Sequence, residues 1–98
     1  MELRVAIINR GEPARRVIRA AHELNHERDW DIRTIALHTQ AERTATFVRE
    51  ADEAFRIGGS GIENPYLDHA ELERALVETG AEAAWVGWGF VAEDPAFV

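Results

Sequence analysis

Short apolar runs alternate along the chain with longer segments whose apolar residues recur at helical spacing. The run RVAII at residues 4–8 is brief and rich in β-branched side chains, which is typical of a buried strand. A turn follows at residues 9–12, and Pro13 suits the first turn of a helix. From residue 14 to about residue 25 the apolar positions have helical spacing; they are Ala14, Val17, Ile18, Ala21 and Leu24.

The same alternation continues through the rest of the sequence. The pattern predicts strands at 32–37, near 54–57 and at 83–86, and a short helix at 44–50. A third helix is predicted over residues 68–79, with Asp68 as its N-cap and Gly80 ending it. Its inward-facing positions would be Leu72, Ala75, Leu76 and Thr79.

Strands that alternate with helices indicate βαβ units. The predicted fold class is therefore α/β, a Rossmann-like three-layer domain with a parallel sheet and right-handed crossovers. Ligands of such domains bind beyond the carboxyl ends of the strands, here residues 9–12, 38–41, 58–61 and 87–93. A helix starts at residues 94–95 but the sequence stops at Val98, so we expect a truncated last helix in the front part of a larger unit.

Composition excludes several classes of function. The 98 residues carry a formal charge of −7, which argues against nucleic-acid binding. There is no cysteine, and all 11 basic residues are arginine, so thiol chemistry, Schiff bases, a P-loop lysine and a lysine-linked cofactor are excluded. No apolar run approaches the roughly 20 residues that span a membrane. We expect a cytoplasmic protein that binds neither nucleic acid nor membrane.

The sequence HELNH at residues 22–26 matches the zinc-hydrolase motif H-E-x-x-H. The motif would place His22 and His26 on one helical face as zinc ligands, with Glu23 as the base. It fixes only three positions, however, and neither His38 nor His69 stands at a spacing expected of a third ligand. We therefore interpret the match as a coincidence, and His38 and His69 as surface or capping residues.

Two other features suggest contact surfaces. Arg16, Arg19 and Glu23 form one stripe on the first helix, either a solvated face or a polar subunit contact. The sequence WVGWGF at residues 85–90 places three large aromatic residues around two glycines at the end of the last strand. Packing in the core explains Trp85, whereas Trp88 suits the wall of a pocket, and Glu93 could reach the same place.

Together these segments resemble the N-terminal domain of biotin carboxylase, as found in biotin-dependent acyl-CoA carboxylases. The resemblance covers essentially the whole chain, as domain 1–98, and rests on an ordered set of motifs. These are AIINRGEPA at 6–14 with RVIRA at 16–20, AER at 41–43, ADEA at 51–54, IG at 57–58, YL at 66–67 and GWGF at 87–90 with ED at 93–94.

The resemblance implies that the complete enzyme carboxylates biotin with Mg-ATP and bicarbonate, through carboxyphosphate. ATP, Mg²⁺ and bicarbonate would be held by the ATP-grasp and C-terminal domains, both absent from this chain, which would bind no cofactor and be inactive alone. By match, Trp88 and Gly89 approach biotin as a pocket wall, with Glu93 nearby, and this domain contributes no catalytic or metal-ligating residue. Arg16, Arg19 and Glu23 match a dimer interface. The expected partners are those two domains, the biotin carrier and carboxyltransferase domains, and a second copy of the enzyme.

Three stretches depart from the common family pattern, and one of them, residues 25–31, is a longer connection from helix to strand than is usual. The form W-x-G-W-G at residues 85–89 replaces the commoner bacterial H-P-G-Y-G and looks more like the acetyl-CoA and propionyl-CoA carboxylase type. Residues 44–47 replace the family's D-x-x-H. The main rival hypothesis is a stand-alone Rossmann-like interaction or dimerisation module without catalysis, and a zinc hydrolase is a distant third.

Overall fold

Four parallel strands with helices on both faces form the domain, as a computed structural model shows for residues 2–58 and 68–86. The elements, in chain order, are β1 (Glu2–Ile7), α1 (Gly11–Arg28), β2 (Asp31–His38), a 3₁₀ turn η1 (Gln40–Glu42), α2 (Thr46–Glu50), β3 (Glu53–Arg56), α3 (His69–Thr79) and β4 (Ala83–Trp85). The strand order is β3-β2-β1-β4, and every neighbouring pair is parallel. The predicted α/β class and parallel sheet are confirmed.

Alternate residues of β1 supply the two cores, one on each face of the sheet. Ile7 packs with Ala14 and Ile18 of α1 and with Phe47 and Val48 of α2. The neighbouring residues Ala6 and Ile8 face the opposite core, beneath α3, with Leu72 and Ala75. This period of two along a strand produces the three-layer arrangement.

Both ends of α3 follow the prediction. The Asp68 carboxylate accepts a hydrogen bond from the Glu71 N–H at 3.0 Å, so it caps the helix. At the other end Gly80 adopts φ 69°, a left-handed conformation that glycine takes without strain. Of the predicted inward positions, Leu72 and Ala75 are fully buried, while Leu76 packs against the same core.

The first helix is longer than the sequence pattern predicts. It runs on to Arg28, and Asp29 ends it at φ 57°. The side chain of Asn25 then holds the start of β2, because it accepts the Ile32 N–H at 2.7 Å and donates to the Ile32 carbonyl at 3.0 Å. Beyond the apolar stripe the helix continues through the exposed polar residues 26–28.

The predicted helix at 44–50 is shorter and is preceded by a separate turn. The Glu42 carboxylate accepts the Thr39 N–H and the Thr39 hydroxyl, both at 3.0 Å, at the start of η1, and α2 begins only at Thr46. No helix within residues 2–58 and 68–86 is long and apolar enough to cross a membrane.

Candidate functional site

All four strands end at one edge of the sheet, where α/β domains bind their ligands. From β1 the chain moves through β2 to β3 on one side, whereas β4 lies on the other side of β1. The direction of strand addition therefore reverses between β1 and β4, and this reversal defines the switch point of the fold. The candidate site comprises the residues that follow β1 and β4 at this point.

Asn9 bridges the switch point. The strand ladder continues one step beyond β1, since the Ile8 N–H donates to the Trp85 carbonyl at 2.9 Å. The Asn9 side chain then takes the next step, with Nδ2 donating to the Val86 carbonyl at 3.1 Å. Its Oδ1 accepts the Arg10 N–H at 2.9 Å, which fixes which way the amide points. The Asn9 side chain therefore links the two segments that follow β1 and β4 at the switch point.

A polar cleft of about 550 Å³ lies beside this bridge, between the turn after β1 and the start of α2. Both signs of charge line the cleft, because Arg10 lies 3.6 Å from Glu42, and Arg15 lies 3.6 Å from Glu12. Gly11 adopts φ 66° at the start of α1, but Glu12 follows it in the first helical turn. Carboxylates at this position oppose a phosphate, so the cleft does not resemble a phosphate cradle.

The predicted interface stripe lies on the exposed surface of α1. Arg16 is paired with Glu12 at 3.6 Å, and Arg19 with Glu50 of α2, also at 3.6 Å. Glu23 is exposed. The structure thus places all three residues on the surface, and α2 orients Arg19.

A cluster of charged side chains, Arg15, Arg19 and Glu50, connects α1 to α2. Arg15 Nε donates to Glu50 Oε1 at 2.7 Å. This hydrogen bond, helped by the charge of Arg19, holds the pKa of the Glu50 carboxyl below its ordinary value. The Glu50 carboxylate therefore stays ionised and holds Arg19, one residue of the interface stripe.

Neither histidine of the HELNH motif belongs to a metal site in the described part of the chain. His22 Nε2 lies 3.7 Å from Asp52 Oδ1, and His26 is exposed. Across residues 2–58 and 68–86, no three or more His, Asp or Glu side chains gather in a way that could hold a metal ion. The described residues thus give the zinc-hydrolase hypothesis no ligand set.

The interpretation of His38 as a surface or capping residue is wrong, because its side chain is buried. It is the last residue of β2, only 7% exposed, and its ring Nδ1 lies 2.8 Å from the Thr39 carbonyl oxygen. The apolar run of β2 simply continues into a buried position occupied by a histidine. His69 is exposed as the first residue of α3.

Two carboxylates of the ADEA motif have structural roles. Asp52 Oδ2 accepts the Thr34 N–H at 2.8 Å and the Thr34 hydroxyl at 3.0 Å, so it extends the β2 ladder before β3 begins. Glu53 binds Arg4 of β1 through two hydrogen bonds of 2.7 and 2.9 Å. These bonds lower the pKa of Glu53. The motif therefore stabilises the sheet at the start of β3, away from the carboxyl ends of the strands where the candidate site lies.

An apolar groove of about 180 Å³ opens on the α1 face of the sheet, beside β4. Among the described residues α1 and α2 cover this face, and β4 is an edge strand. Val17 and Leu24, two of the apolar positions at helical spacing in α1, are only partly buried and line the groove. Sequence reasoning placed both on the correct face of α1 but missed the groove. The other apolar lining residues are Leu3, Val5, Ile7, Ala20, Ala21, Ile32 and Trp85.

The predicted pocket wall, which consists of Trp88, Gly89 and Glu93, lies outside the described residues, as does the glycine-rich loop from residue 59. Val86 is the last described residue before this wall, and Asn9 holds its carbonyl. Sequence reasoning included Asn9 in a motif but missed its bridging role. Only the three-dimensional pairing of β1 with β4 reveals that role.

Fold and site thus define a Rossmann-like α/β domain whose switch point is bridged by the Asn9 side chain. The chain belongs to the biotin carboxylase N-terminal domain family, because the model of this family, described as "Biotin carboxylase, N-terminal domain", matches residues 1–98.

Relatives of known name agree with this assignment. The chain is 42% identical over 94 residues to the 2-oxoglutarate carboxylase small subunit of Hydrogenobacter thermophilus, covering 96% of this chain and 18% of that protein. It is 38% identical over 94 residues to biotin carboxylase 1 of Bacillus subtilis, covering 96% and 20%. The chain therefore spans about a fifth of the length of these relatives.

Solved structures show the same relationship in three dimensions. The biotin carboxylase domain of a thermophilic 2-oxoglutarate carboxylase, bound to bicarbonate, superimposes with a TM-score of 0.82 at 41% identity, covering 99% of this chain and 20% of that one. A single-chain, multi-domain long-chain acyl-CoA carboxylase gives 0.82 at 36% identity, covering 99% and 9%.

Proposed function

We propose that this chain serves as the N-terminal domain of a biotin carboxylase within a biotin-dependent acyl-CoA carboxylase. The observation that carries the proposal is the match to a biotin carboxylase domain over 99% of the chain at 41% identity. The complete enzyme would carboxylate biotin with ATP and bicarbonate and would be a ligase. The isolated chain would be inactive, because the nucleotide would bind to other domains.

The described residues support a structural contribution to the site. Bound ATP and Mg²⁺ would supply the activation of bicarbonate, and the described residues offer neither a phosphate cradle nor a metal-ligand cluster for them. Instead the domain would present one wall of the biotin pocket through Trp88 and Gly89, with Glu93 beside them. Asn9, at the switch point, donates to the carbonyl of Val86, the last described residue before these positions in the sequence.

The apolar groove supports the proposal that further domains pack on this one. A groove with almost wholly apolar walls beside an edge strand is unfavourable when it faces water. We infer that the ATP-grasp and C-terminal parts of the enzyme shield this surface. The biotin carrier and carboxyltransferase domains would then be the partners that deliver and use carboxybiotin.

For the enzyme's oligomeric state, we propose a homodimer that uses Arg16, Arg19 and Glu23. All three side chains are exposed, and one relative of known structure is described as a biotin carboxylase domain dimer. Arg19→Glu in the complete enzyme should shift the mass measured by sedimentation toward the monomer. Arg33→Glu, at an exposed site on β2, is the matched control. An unchanged dimer in the Arg19→Glu variant would contradict the interface.

More specifically, we propose that the complete enzyme is a carboxylase of the acetyl-CoA or propionyl-CoA type. It would act in fatty acid biosynthesis in the cytoplasm. Its support is the W-x-G-W-G form at residues 85–89 and the similarity to a long-chain acyl-CoA carboxylase. The acyl-CoA that is finally carboxylated is chosen in the carboxyltransferase, so this domain does not determine it.

The proposed activity is tested by ADP release from ATP, with and without free biotin and bicarbonate. The protein used should be the longest polypeptide that carries this domain. Turnover should require both biotin and bicarbonate and should fall in Trp88→Ala and Glu93→Ala. If turnover requires biotin and bicarbonate but is unchanged in the two variants, the assignment of the pocket wall is wrong and the proposed activity is retained. If a folded full-length chain shows no biotin-dependent turnover, the activity itself is refuted.

A further inference from the structure

We propose that Glu27, in the last turn of α1, extends the interface stripe and pairs with Arg16 of the partner subunit in a symmetric dimer. This inference rests on the proposed homodimer, since it states how two copies of the chain face each other across the stripe. Its structural basis lies entirely in α1, which the structure describes from Gly11 to Arg28.

The last turn of α1 brings Glu27 onto the face that carries the interface stripe. Residues three or four positions apart are neighbours on one face of a helix. Glu27 follows Glu23 by four positions, as Glu23 follows Arg19. Its side chain is exposed, like those of the stripe. The long helix-to-strand connection at residues 25–31 thus contributes a fourth charged side chain to this face.

The order of charges along this face is unfavourable within a single chain. Arg16 and Arg19 are neighbouring like charges, and so are Glu23 and Glu27. A carboxylate in the last turn, as at Glu27, also opposes the helix macrodipole. Both arginines have a carboxylate at 3.6 Å. Within the described part of the chain, neither Glu23 nor Glu27 has an ion pair, so these two carboxylates lack a counter-charge of their own.

A second copy of α1 in antiparallel orientation supplies that counter-charge. In a dimer with a two-fold axis, a contact of one residue with another is repeated with the subunits exchanged. If the axis passes midway between Arg19 and Glu23, each of them faces the other one of the partner subunit. Arg16 then lies about five residues before the axis and Glu27 about six after it, a mismatch of about 1.5 Å along the helices. An arginine side chain spans this distance, so the basic half of each stripe meets the acidic half of the other.

The test uses two single charge reversals in the complete enzyme, Arg16→Glu and Glu27→Arg, and measures the dimer dissociation constant by sedimentation. Each reversal should raise this constant about tenfold or more, because it turns attraction into repulsion at both symmetric contacts. Glu27→Gln, which removes the charge without reversing it, should have a smaller effect in the same direction and serves if Glu27→Arg folds poorly. The matched control is Glu73→Arg, since Glu73 is exposed on α3, on the other face of the sheet. It should change the constant by less than about threefold.

Mixing the Arg16→Glu and Glu27→Arg enzymes tests the pairing directly. In a mixed dimer both contacts between positions 16 and 27 join opposite charges, whereas in each variant alone both contacts join like charges. Native mass spectrometry with one variant labelled with ¹⁵N should therefore show mixed dimers well above the statistical half. The double variant Arg16→Glu/Glu27→Arg should dissociate within about threefold of the unmodified enzyme, because exchanging the two charges restores attraction.

Mixed dimers at or below the statistical half, or a double variant as weak as the single ones, would overturn the pairing. An equal loss in Glu73→Arg would also overturn it, because net charge would then explain the effect. If Arg19→Glu dissociates the dimer and Glu27→Arg does not, the proposed homodimer is retained and the role of Glu27 is refuted. A full-length enzyme without biotin-dependent turnover would refute the proposed activity, whereas the measured masses would still decide the pairing.

Discussion

At the scale of single residues, Glu71 is a buried carboxylate, and its hydrogen-bond partners explain why it can lie in an apolar layer. Its side chain is 5% exposed and accepts from Arg74 Nε at 2.6 Å and from the Gly58 N–H at 2.5 Å. The contact with Gly58 joins the first turn of α3 to the end of β3. A buried charge with this many donors is satisfied, whereas a truncated side chain would leave them without an acceptor.

Glu71→Ala should therefore destabilise the chain by roughly 1.5–3 kcal/mol, the net contribution of a hydrogen bond to a charged group, because it removes the buried acceptor of the Arg74 and Gly58 donors. Urea denaturation followed by circular dichroism measures this change. Glu78→Ala is the control, because Glu78 pairs with the same Arg74 at 2.8 Å but is 51% exposed. Its cost should be below about 1 kcal/mol. Equal costs for the two variants would show that burial at Glu71 contributes nothing.

The same carboxylate predicts acid sensitivity. Hydrogen bonds from Arg74, and to a lesser extent from Gly58, lower the pKa of Glu71. A carboxyl with a lowered pKa stabilises the fold fully above its unfolded-state pKa of about 4.3, and this stabilisation is lost as the pH falls through the folded-state pKa. The urea midpoint should drop on acidification below about pH 4, and Glu71→Gln should weaken that drop. Parallel pH profiles for the two proteins would contradict this assignment.

At the scale of elements, Gly80 determines how α3 ends and β4 begins. Gly80 has φ 69°, and its N–H donates hydrogen bonds to the carbonyls of Leu76 and Val77. An added Cβ would meet only the end of the Arg4 side chain at 3.8 Å, so conformation and not space limits substitution. Gly80→Ala should cost roughly 1–2 kcal/mol. Gly80→Asn should cost less, because asparagine tolerates this region; the reverse order, measured by thermal unfolding, would contradict the explanation.

The elements also show what sequence patterns can predict. Asp68 and Gly80 carry local signals, and the structure confirms both ends of α3. The buried Glu71 gave no such signal, since its partner Gly58 lies 13 positions away in sequence and becomes a neighbour only through folding. The same reason hid the bridge from Asn9 to Val86, whose partners are 77 positions apart. Motif and resemblance identified the family, but long-range pairing alone showed that the motif residue Asn9 bridges the segments after β1 and β4.

At the scale of the whole molecule, the apolar groove beside β4 governs the behaviour of the 98-residue chain in solution. Among the described residues, Val17, Leu24 and Trp85 line the groove with hardly any polar surface. Exposed apolar surface of this kind promotes association. The weight-average mass measured by sedimentation should therefore rise with concentration, as mass action requires, and the chain should bind the dye ANS.

Leu24→Glu should weaken both effects, because it places a charge in the wall of the groove. Val77→Glu is the matched control, since Val77 is 75% exposed on α3 and lies outside the groove. That variant should associate like the unmodified chain, although it carries the same added charge. A monomer at every concentration, with a cooperative melt and no dye binding, would show that the groove is closed in solution. The case for further domains packing on this face would then lose its physical basis.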